Sequence, residues 1–276
     1  MKGQSTFGQF LLAGAVCSVL LMSAVTSSAQ IYTFTRGINT VAGTDEGMVD
    51  WKVNGVDYLN LQAFFVRMDG ATAETQLTSG TYVPPMGTRP PSITYSSIPN
   101  LRVGNTMTFT GSGSSGILNQ TIALANTSAT ETIKFSFFLY SDFNLPGAAG
   151  SDSVAINPAT GNYANATQIS ANGSSVRQDF QLATIAYNVF PAHIEATLDP
   201  AGLLASLKDG GVTALSDLRT AGMGDAAWVL QWDLELKPQD GDTISLLYVA
   251  VPEPSICAFG LVGALAVMLR RRLTLG

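Results

Sequence analysis

The chain has 276 residues, of which only 12% are charged, and its net charge at neutral pH is −6. Residues 30–251 contain ten Lys or Arg residues against 19 Asp or Glu residues, so this central part has a net charge of −9. Nucleic acids and anionic lipids are therefore unfavourable partners. Both cysteines, Cys17 and Cys257, lie in apolar segments near the ends, so the central part has no disulfide and must be stabilised by its core.

Residues 1–29 are predicted to be a secretory signal peptide. Lys2 gives a positive start, Phe10 to Val25 is mostly apolar, and Ser27-Ser28-Ala29 places small residues before Gln30. We therefore expect signal peptidase to cut between Ala29 and Gln30. Cys17 suggests a lipoprotein alternative, but it lies in the middle of the apolar segment and lacks the usual Leu and small-residue context.

The next part of the chain is predicted to form β-strands. Asn54-Gly55 is the strongest short-range signal for a type I′ hairpin, and it stands between strands predicted at Met48–Val53 and Val56–Met68. Five prolines between Tyr82 and Leu101 predict an irregular connection there. Further strands are predicted at Ile31–Arg36, Thr106–Thr110, Ile117–Ala125 and Thr132–Tyr140.

Asn144 to Ser175 is rich in Gly, Ala and Asn and is predicted as a long loop with one short strand. Strands are expected at Leu182–Phe190 and His193–Leu198. A helix is then predicted from the N-cap Asp199 to the stop at Gly210, because Pro200 suits its first position. A second short helix is predicted at Ala214–Thr220, the last part of this region.

The clearest strand is Trp228–Lys237, in which Trp and Leu alternate with polar residues. After the turn-forming residues 238–241, Thr243–Val249 is predicted to pair with it as a hairpin. No repeat of fixed period is present. The sequence therefore predicts one all-β domain over residues 30–251, an antiparallel β-sandwich with a small helical insertion.

One candidate for chemistry is the carboxylate pair Asp233 and Glu235, which share one face of that strand. Their Cα atoms would lie roughly 7 Å apart, within the range that glycosidases use. A carbohydrate site would also need Trp228 and Trp232 as an exposed stacking platform, whereas their alternation with leucine favours a place in the core. The more favoured interpretation is a solvated strand face.

A calcium site is a second candidate. Asp142, Asn144 and Gly147 have the spacing that opens a calcium loop, and Asp152 is near. However, Pro146 occupies a ligand position, and a serine stands where the loop needs its final glutamate. We expect no cofactor, with calcium as the open alternative.

Three further patterns favour ordinary structure. Gly111–Gly116 matches a dinucleotide fingerprint, but a strand and not a helix is predicted after it. His193 is the only histidine, so an all-histidine zinc site is impossible, and we expect it to be structural or exposed. Thr106, Thr108 and Thr110 place three hydroxyls on one strand face, which could order water, although threonine is also common in strands.

The C-terminal 25 residues, 252–276, are the most informative part of the chain. Pro252-Glu253-Pro254-Ser255 must stay extended, because each proline fixes its own φ and disfavours helix in the residue before it. The apolar run Ile256–Leu269 would form a helix about 21 Å long, which is short for a hydrocarbon core of about 30 Å. Arg270, Arg271 and Arg272 follow and should remain in the cytoplasm.

This order of motif, short apolar span and arginine cluster resembles the PEP-CTERM sorting signal of Gram-negative envelope proteins. The resemblance implies that Pro252, Glu253 and Pro254 are recognised by exosortase, a membrane processing enzyme, and that 256–269 is a transient inner-membrane anchor retained by 270–272. The stretches Leu124–Leu145 and Trp228–Val249 also look like the β-sandwich cargo domains found before this signal, most of which have no assigned activity.

The sequence therefore predicts an exported, non-enzymatic protein of the cell surface or extracellular matrix. Its expected role is structural or adhesive in exopolysaccharide or biofilm. The alternative is a secreted carbohydrate-binding or carbohydrate-active protein that uses Asp233 and Glu235.

Overall fold

A computed structural model describes residues 32–36, 39–44, 47–112, 115–146, 150–157, 164–182 and 191–251. They form two antiparallel sheets and one short helix, so the predicted all-β fold with a small helical insertion is confirmed.

The first sheet has the order β1-β2-β3-β5-β11-β17-β15, with β4 paired to β3 and β6 to β5. Its strands are β1 Tyr32–Arg36, β2 Asn39–Thr44, β3 Gly47–Val53, β4 Val56–Asp57, β5 Leu61–Met68, β6 Thr75–Gln76, β11 Ile133–Asp142, β15 His193–Thr197 and β17 Ala227–Leu236.

The second sheet has the order β16-β12-β13-β14-β18-β10-β9-β8-β7. Its strands are β7 Thr81–Val83, β8 Ser92–Tyr95, β9 Leu101–Ser112, β10 Ser115–Asn126, β12 Asp152–Asn157, β13 Ala164–Ser170, β14 Ser175–Leu182, β16 Thr220–Gly224 and β18 Gly241–Val251.

The main core lies between the two sheets, where alternate residues of facing strands meet. Large aromatic side chains fill it, and Trp51, Phe109, Phe137, Trp232 and Tyr248 are all at most 1% exposed. Several of these rings contact one another; the Phe137 and Trp232 centroids, for example, lie 6.2 Å apart. Burial of such rings supplies most of the stability that a domain without cysteines needs.

A closed hydrogen-bond network crosses this core. The Tyr248 hydroxyl accepts from Gln62 Nε2 and from Gln178 Nε2, the latter at 2.9 Å, and donates to Gln120 Oε1 at 3.2 Å. Gln120 Nε2 donates to Gln62 Oε1 at 2.8 Å, and Trp228 Nε1 donates to Gln178 Oε1 at 2.7 Å. Because Gln62 and Trp228 belong to the first sheet and the other three residues to the second, the network joins the sheets at one register.

The helix α1, Pro200–Ser206, packs on the outer side of the first sheet. It begins as predicted, since Asp199 Oδ1 accepts from Gly202 N at 2.9 Å and Pro200 is the first helical residue. Leu203 and Leu207 cover a second apolar cluster that includes Phe65 and Phe138. The central strands of this sheet are therefore buried on both faces, which period-two alternation alone does not predict.

Several predicted elements match the structure. Asn54 and Gly55 have φ values of 52° and 82° and form the turn between β3 and β4, as a type I′ hairpin requires. Predicted strands correspond to β1, β9, β10, β11, β15, β17 and β18. The long strand predicted at Val56–Met68 is interrupted after Asp57, and β8 lies within the proline-rich connection. The strand predicted at Leu182–Phe190 lies almost wholly outside the described residues.

The predicted hairpin of Trp228–Lys237 with Thr243–Val249 is wrong. β17 lies in the first sheet, between β11 and β15, whereas β18 lies in the second, between β14 and β10. The connection at residues 237–240 crosses the sandwich and is held by Asn126 Nδ2, which donates to the carbonyls of Leu236 and Lys237 at 3.0 Å and of Glu131 at 2.7 Å. We call this connection at residues 237–240 the arch, because it joins strands of different sheets. Strands joined by an arch and strands joined by a hairpin turn show the same alternation of apolar and polar residues, so the sequence pattern does not distinguish the two connections.

Two further predictions are wrong. Asn144–Ser175 contains β12 and β13, whose buried Val154, Ile156 and Ala166 alternate with more exposed residues. Small residues conceal this alternation in the sequence. Ala214–Thr220 is not a helix but an irregular segment that leads into β16, because its backbone bonds to β15 and β12: Ala196 N donates to Leu218 O at 2.8 Å, and Ile156 N to Arg219 O at 2.7 Å.

Candidate functional site

The predicted processing residues, Ala29, Gln30, Pro252, Glu253, Pro254, Arg270, Arg271 and Arg272, lie outside the described residues. The described part contains no helix with the length and apolar character needed to cross a membrane, and Ile256–Leu269 is not in that part.

The structure does show how the chain reaches the motif. β18 continues to Val251, which pairs with Ser175 of β14, while Ala250 pairs with Gly116 of β10. The chain therefore enters Pro252 directly from a central strand of the second sheet.

The carboxylates Asp233 and Glu235 lie on the outer face of the first sheet, beside a groove of about 470 Å³. Strand register places Ser136 between Asp233 and Arg67, and places Lys134 beside Glu235. The groove also reaches His193 and the turn at residues 69–70. It therefore contains both signs of charge and is not an acidic cleft.

Asp233 and Glu235 both have protein partners. Ser136 Oγ donates to Asp233 Oδ1 at 2.6 Å, and Gln231 Nε2 donates to the same oxygen at 2.8 Å. Lys134 Nζ lies 3.1 Å from Glu235 Oε2, with both side chains more than half exposed. An exposed pair of this kind contributes little to stability. Because both carboxylates project from one strand and do not face each other across a cleft, the geometry does not favour glycoside hydrolysis.

Arg67, at the back of the groove, has a structural role. Its guanidinium lies 5.3 Å from the centre of the Phe138 ring and forms an ion pair of 2.7 Å with Glu74, whose side chain is fully buried. Glu74 also accepts from Thr213 N and Thr213 Oγ1, both at 3.1 Å. These contacts attach the segment after α1 to the sheet.

His193 lies at one end of the groove and is partly exposed, in agreement with the prediction. Its Nδ1 is 3.2 Å from Asp217 Oδ2, and Asp217 Oδ1 accepts from Ile194 N at 3.1 Å. The hydrogen bond from His193 lowers the pKa of Asp217. These contacts stabilise the start of β15. Because His193 Nδ1 is paired with a carboxylate and not with a hydroxyl or a thiol, the pair is not a base with the nucleophile that it activates.

The tryptophans occupy the core, as their alternation with leucine predicts. Trp228 and Trp232 are 0% and 1% exposed, and the Trp228 indole N–H is used by Gln178. They therefore cannot stack on a sugar ring, so the carbohydrate-active alternative loses the platform that it requires.

The two aspartates of the predicted calcium site, Asp142 and Asp152, are both buried, and each accepts a hydrogen bond from a different side-chain amide. Asp142 Oδ2 accepts from Asn60 Nδ2 at 2.8 Å, and Asp152 Oδ2 accepts from Gln168 Nε2 at 2.9 Å. Burial raises the pKa of Asp142 to about 6 and also raises that of Asp152. Among the described residues no group of three or more His, Cys, Asp or Glu side chains is placed to hold a metal ion, and Gly147 lies outside them.

The remaining sequence patterns belong to the second sheet. The glycine-rich stretch 111–116 joins β9 to β10, which is a strand and not the helix that a dinucleotide site needs. Thr106, Thr108 and Thr110 point to the outer side of β9. Sequence reasoning missed the extent of this outer face, because its other members lie on strands that are distant in sequence.

No protein-family model matches the chain, and no curated protein matches it. Similar solved structures include a polysaccharide lyase, which is 12% identical with a TM-score of 0.44 over 79% of this chain and 32% of the lyase chain. Another, described as a kojibiose phosphorylase from the human microbiome, is 7% identical with a TM-score of 0.37 over 81% of this chain and 30% of that chain. The chain thus spans about a third of the length of these structures.

Proposed function

We propose that this protein is an exported β-sandwich that is sorted through its C-terminal motif to the cell surface or extracellular matrix. In this proposal residues 256–269 are a transient inner-membrane anchor, and an exosortase-type enzyme recognises Pro252, Glu253 and Pro254. The observation that carries the proposal is the order of extended motif, short apolar span and arginine cluster. The fold supports it because β18 delivers a paired central strand directly to this segment.

The orientation of β18 has a consequence for the anchored state. Only residues 252–255 separate Val251 from the apolar run, and four residues span at most about 14 Å. The end of the sandwich that contains Val251 is therefore held close to the membrane. The arch at residues 237–240 lies at the opposite end of β18, about 33 Å away at the usual rise per residue. The groove at Glu235 would then lie at the end of the sandwich that is distant from the membrane.

The proposed role is structural or adhesive and not enzymatic. Asp233 is engaged by Ser136 and Gln231, and Glu235 is paired with Lys134, so neither carboxylate is placed as a general acid opposite a base. A matrix protein needs an exported stable domain and a surface for its polymer, and it needs no catalytic centre.

The test replaces Pro252-Glu253-Pro254 by three alanines in the full chain in its host. We expect the unaltered chain to lose its C-terminal segment and leave the inner membrane, and the variant to stay full length in the membrane fraction. Mass spectrometry of both termini after cell fractionation measures this. Pro84-Pro85-Met86 is a matched control, because it is an exposed loop segment with two prolines; its replacement by alanines should leave release unchanged. Unchanged release of the first variant would contradict sorting through the motif.

A further inference from the structure

The outer side of the second sheet is a broad face of hydroxyl and amide groups. We define the hydroxyl face as the fifteen outward side chains of five adjacent strands, three from each strand. They are the first, third and fifth residues of the ranges 106–110 in β9, 117–121 in β10, 245–249 in β18, 175–179 in β14 and 165–169 in β13. Of these fifteen side chains, nine are Thr, Ser or Asn, four are aliphatic and two are charged. The two charged residues, Arg177 and Asp179, neutralise each other at 2.7 Å.

The face is distinct from the rest of the molecule in its charge. The chain between residues 30 and 251 has a net charge of −9, yet the hydroxyl face is neutral in sum. A polyanion would be repelled by the whole protein and would find no cationic site here. An uncharged polymer meets no such penalty.

Strand register aligns polar groups in a row across the middle of the face. Thr108 pairs with Asn119, Asn119 with Leu247, Leu247 with Asp179, and Asp179 with Asn165. A cavity of about 480 Å³ opens over this row, and Thr121 and Ser245 also line it. The Asn119 side chain is exposed and has no hydrogen-bond partner among the described residues, so its amide can both donate and accept.

This arrangement suits a chain of sugars that lies across the strands. Neighbouring strands are about 4.7–4.9 Å apart, which is comparable to the length of one hexose unit, so successive units can meet successive strands. Amide, carboxylate and guanidinium groups can donate to or accept from adjacent sugar hydroxyls, while Leu247 offers an apolar contact to a ring face. The face has no outward aromatic side chain, so hydrogen bonds must supply most of the specificity.

We propose that the hydroxyl face binds a neutral polysaccharide across β9, β10, β18, β14 and β13. The inference rests on the proposed function, since it names the polymer class of the suggested exopolysaccharide contact. It is also independent of the groove at Asp233, which lies on the outside of the other sheet.

Affinity electrophoresis of the purified chain, in native gels that contain hydroxyethylcellulose or dextran, tests the proposal. We expect at least one of these neutral polymers to retard the protein and alginate, an acidic polymer, to leave its mobility unchanged. The double variant Asn119→Ala/Asp179→Ala should bind about tenfold more weakly, because two hydrogen-bonding groups of the central row are lost. Leu247→Glu, which adds a charge to the centre of the face, should abolish retardation.

The matched control is Lys134→Ala/Glu235→Ala, which alters the outer face of the first sheet and should bind as the unaltered chain does. Far-ultraviolet circular dichroism establishes that each variant is folded. The proposal is overturned if neither neutral polymer retards the protein, if alginate retards it as strongly, or if the Asn119 and Leu247 variants bind normally. It is also overturned if these variants alter the sedimentation coefficient of the protein and leave its retardation unchanged, because the face would then be an interface between copies of the chain. Sorting is measured separately in cells, so its failure and that of glycan binding remain distinct.

Discussion

Removal of one hydroxyl group should test how the two sheets are joined. In Tyr248→Phe the phenol oxygen is lost, and with it the acceptor of Gln62 and Gln178 and the donor to Gln120. All four side chains are at most 1% exposed, so water cannot replace the lost partner without opening the core. The ring itself remains, so the apolar area that it buries is unchanged.

The magnitude follows from the number of groups left without a partner. Two amide donors and one amide acceptor lose a hydrogen bond, and an unsatisfied buried polar group costs about 1–3 kcal/mol. Some of this cost is recovered by small shifts within the network, so we expect a loss of about 3–5 kcal/mol in the free energy of unfolding. That is a large share of the total for a domain, which is usually about 5–15 kcal/mol.

Urea unfolding followed by tryptophan fluorescence measures the change, since all three indoles are buried. Tyr95→Phe is the matched control. Tyr95 is also buried, which raises its pKa to about 12, but its hydroxyl has no hydrogen-bond partner among the described residues. Its loss should cost less than about 1 kcal/mol. Equal effects of the two substitutions would refute the claim that the network joins the sheets.

Three other substitutions test particular contacts. Asn126→Ala removes the donor to the carbonyls of Leu236, Lys237 and Glu131 and should cost about 2–3 kcal/mol in urea unfolding; a loss below about 0.5 kcal/mol would contradict its role. Glu74→Gln leaves the Arg67 guanidinium without its buried counter-ion and should cost about 3 kcal/mol, whereas an unchanged midpoint would show that the pair is dispensable. For Asp142, burial raises the folded pKa from 3.8 to about 6, so the folded state holds the proton more tightly and stability falls as the pH rises between these values. Asp142→Asn should therefore raise the melting temperature at pH 8 and leave it unchanged below about pH 4; a lower melting temperature at pH 8 would show that the hydrogen bonds from Asn60 and Tyr140 to the charged carboxylate outweigh the cost of burying it.

Local patterns predicted much of the strand content. Asn54-Gly55 determines a turn because both residues adopt positive φ, and the alternation of Trp228 to Leu236 determines which side chains enter the core. Asp199 and Pro200 likewise determine where the helix begins. These signals act within a few residues, so they can be recognised without the rest of the chain.

The candidate surfaces were less predictable. Asp233 and Glu235 were found because they stand two apart in one strand, but Ser136, Gln231 and Lys134, which engage them, come from elsewhere in the chain. Gln62, Gln120 and Gln178 carry no sequence signal of burial, because glutamine is usually exposed.

The amino-acid sequence by itself determined the composition of the strands, the turn at Asn54-Gly55, the helix cap and the order of segments at the C-terminus. Tertiary structure alone decided which strands are neighbours, that residues 237–240 cross between sheets, and that five separate strands form one hydroxyl face. The physical reason is that turns and caps depend on backbone preferences of adjacent residues, whereas pairing between distant strands depends on which complete set of buried faces and hydrogen bonds has the lowest free energy.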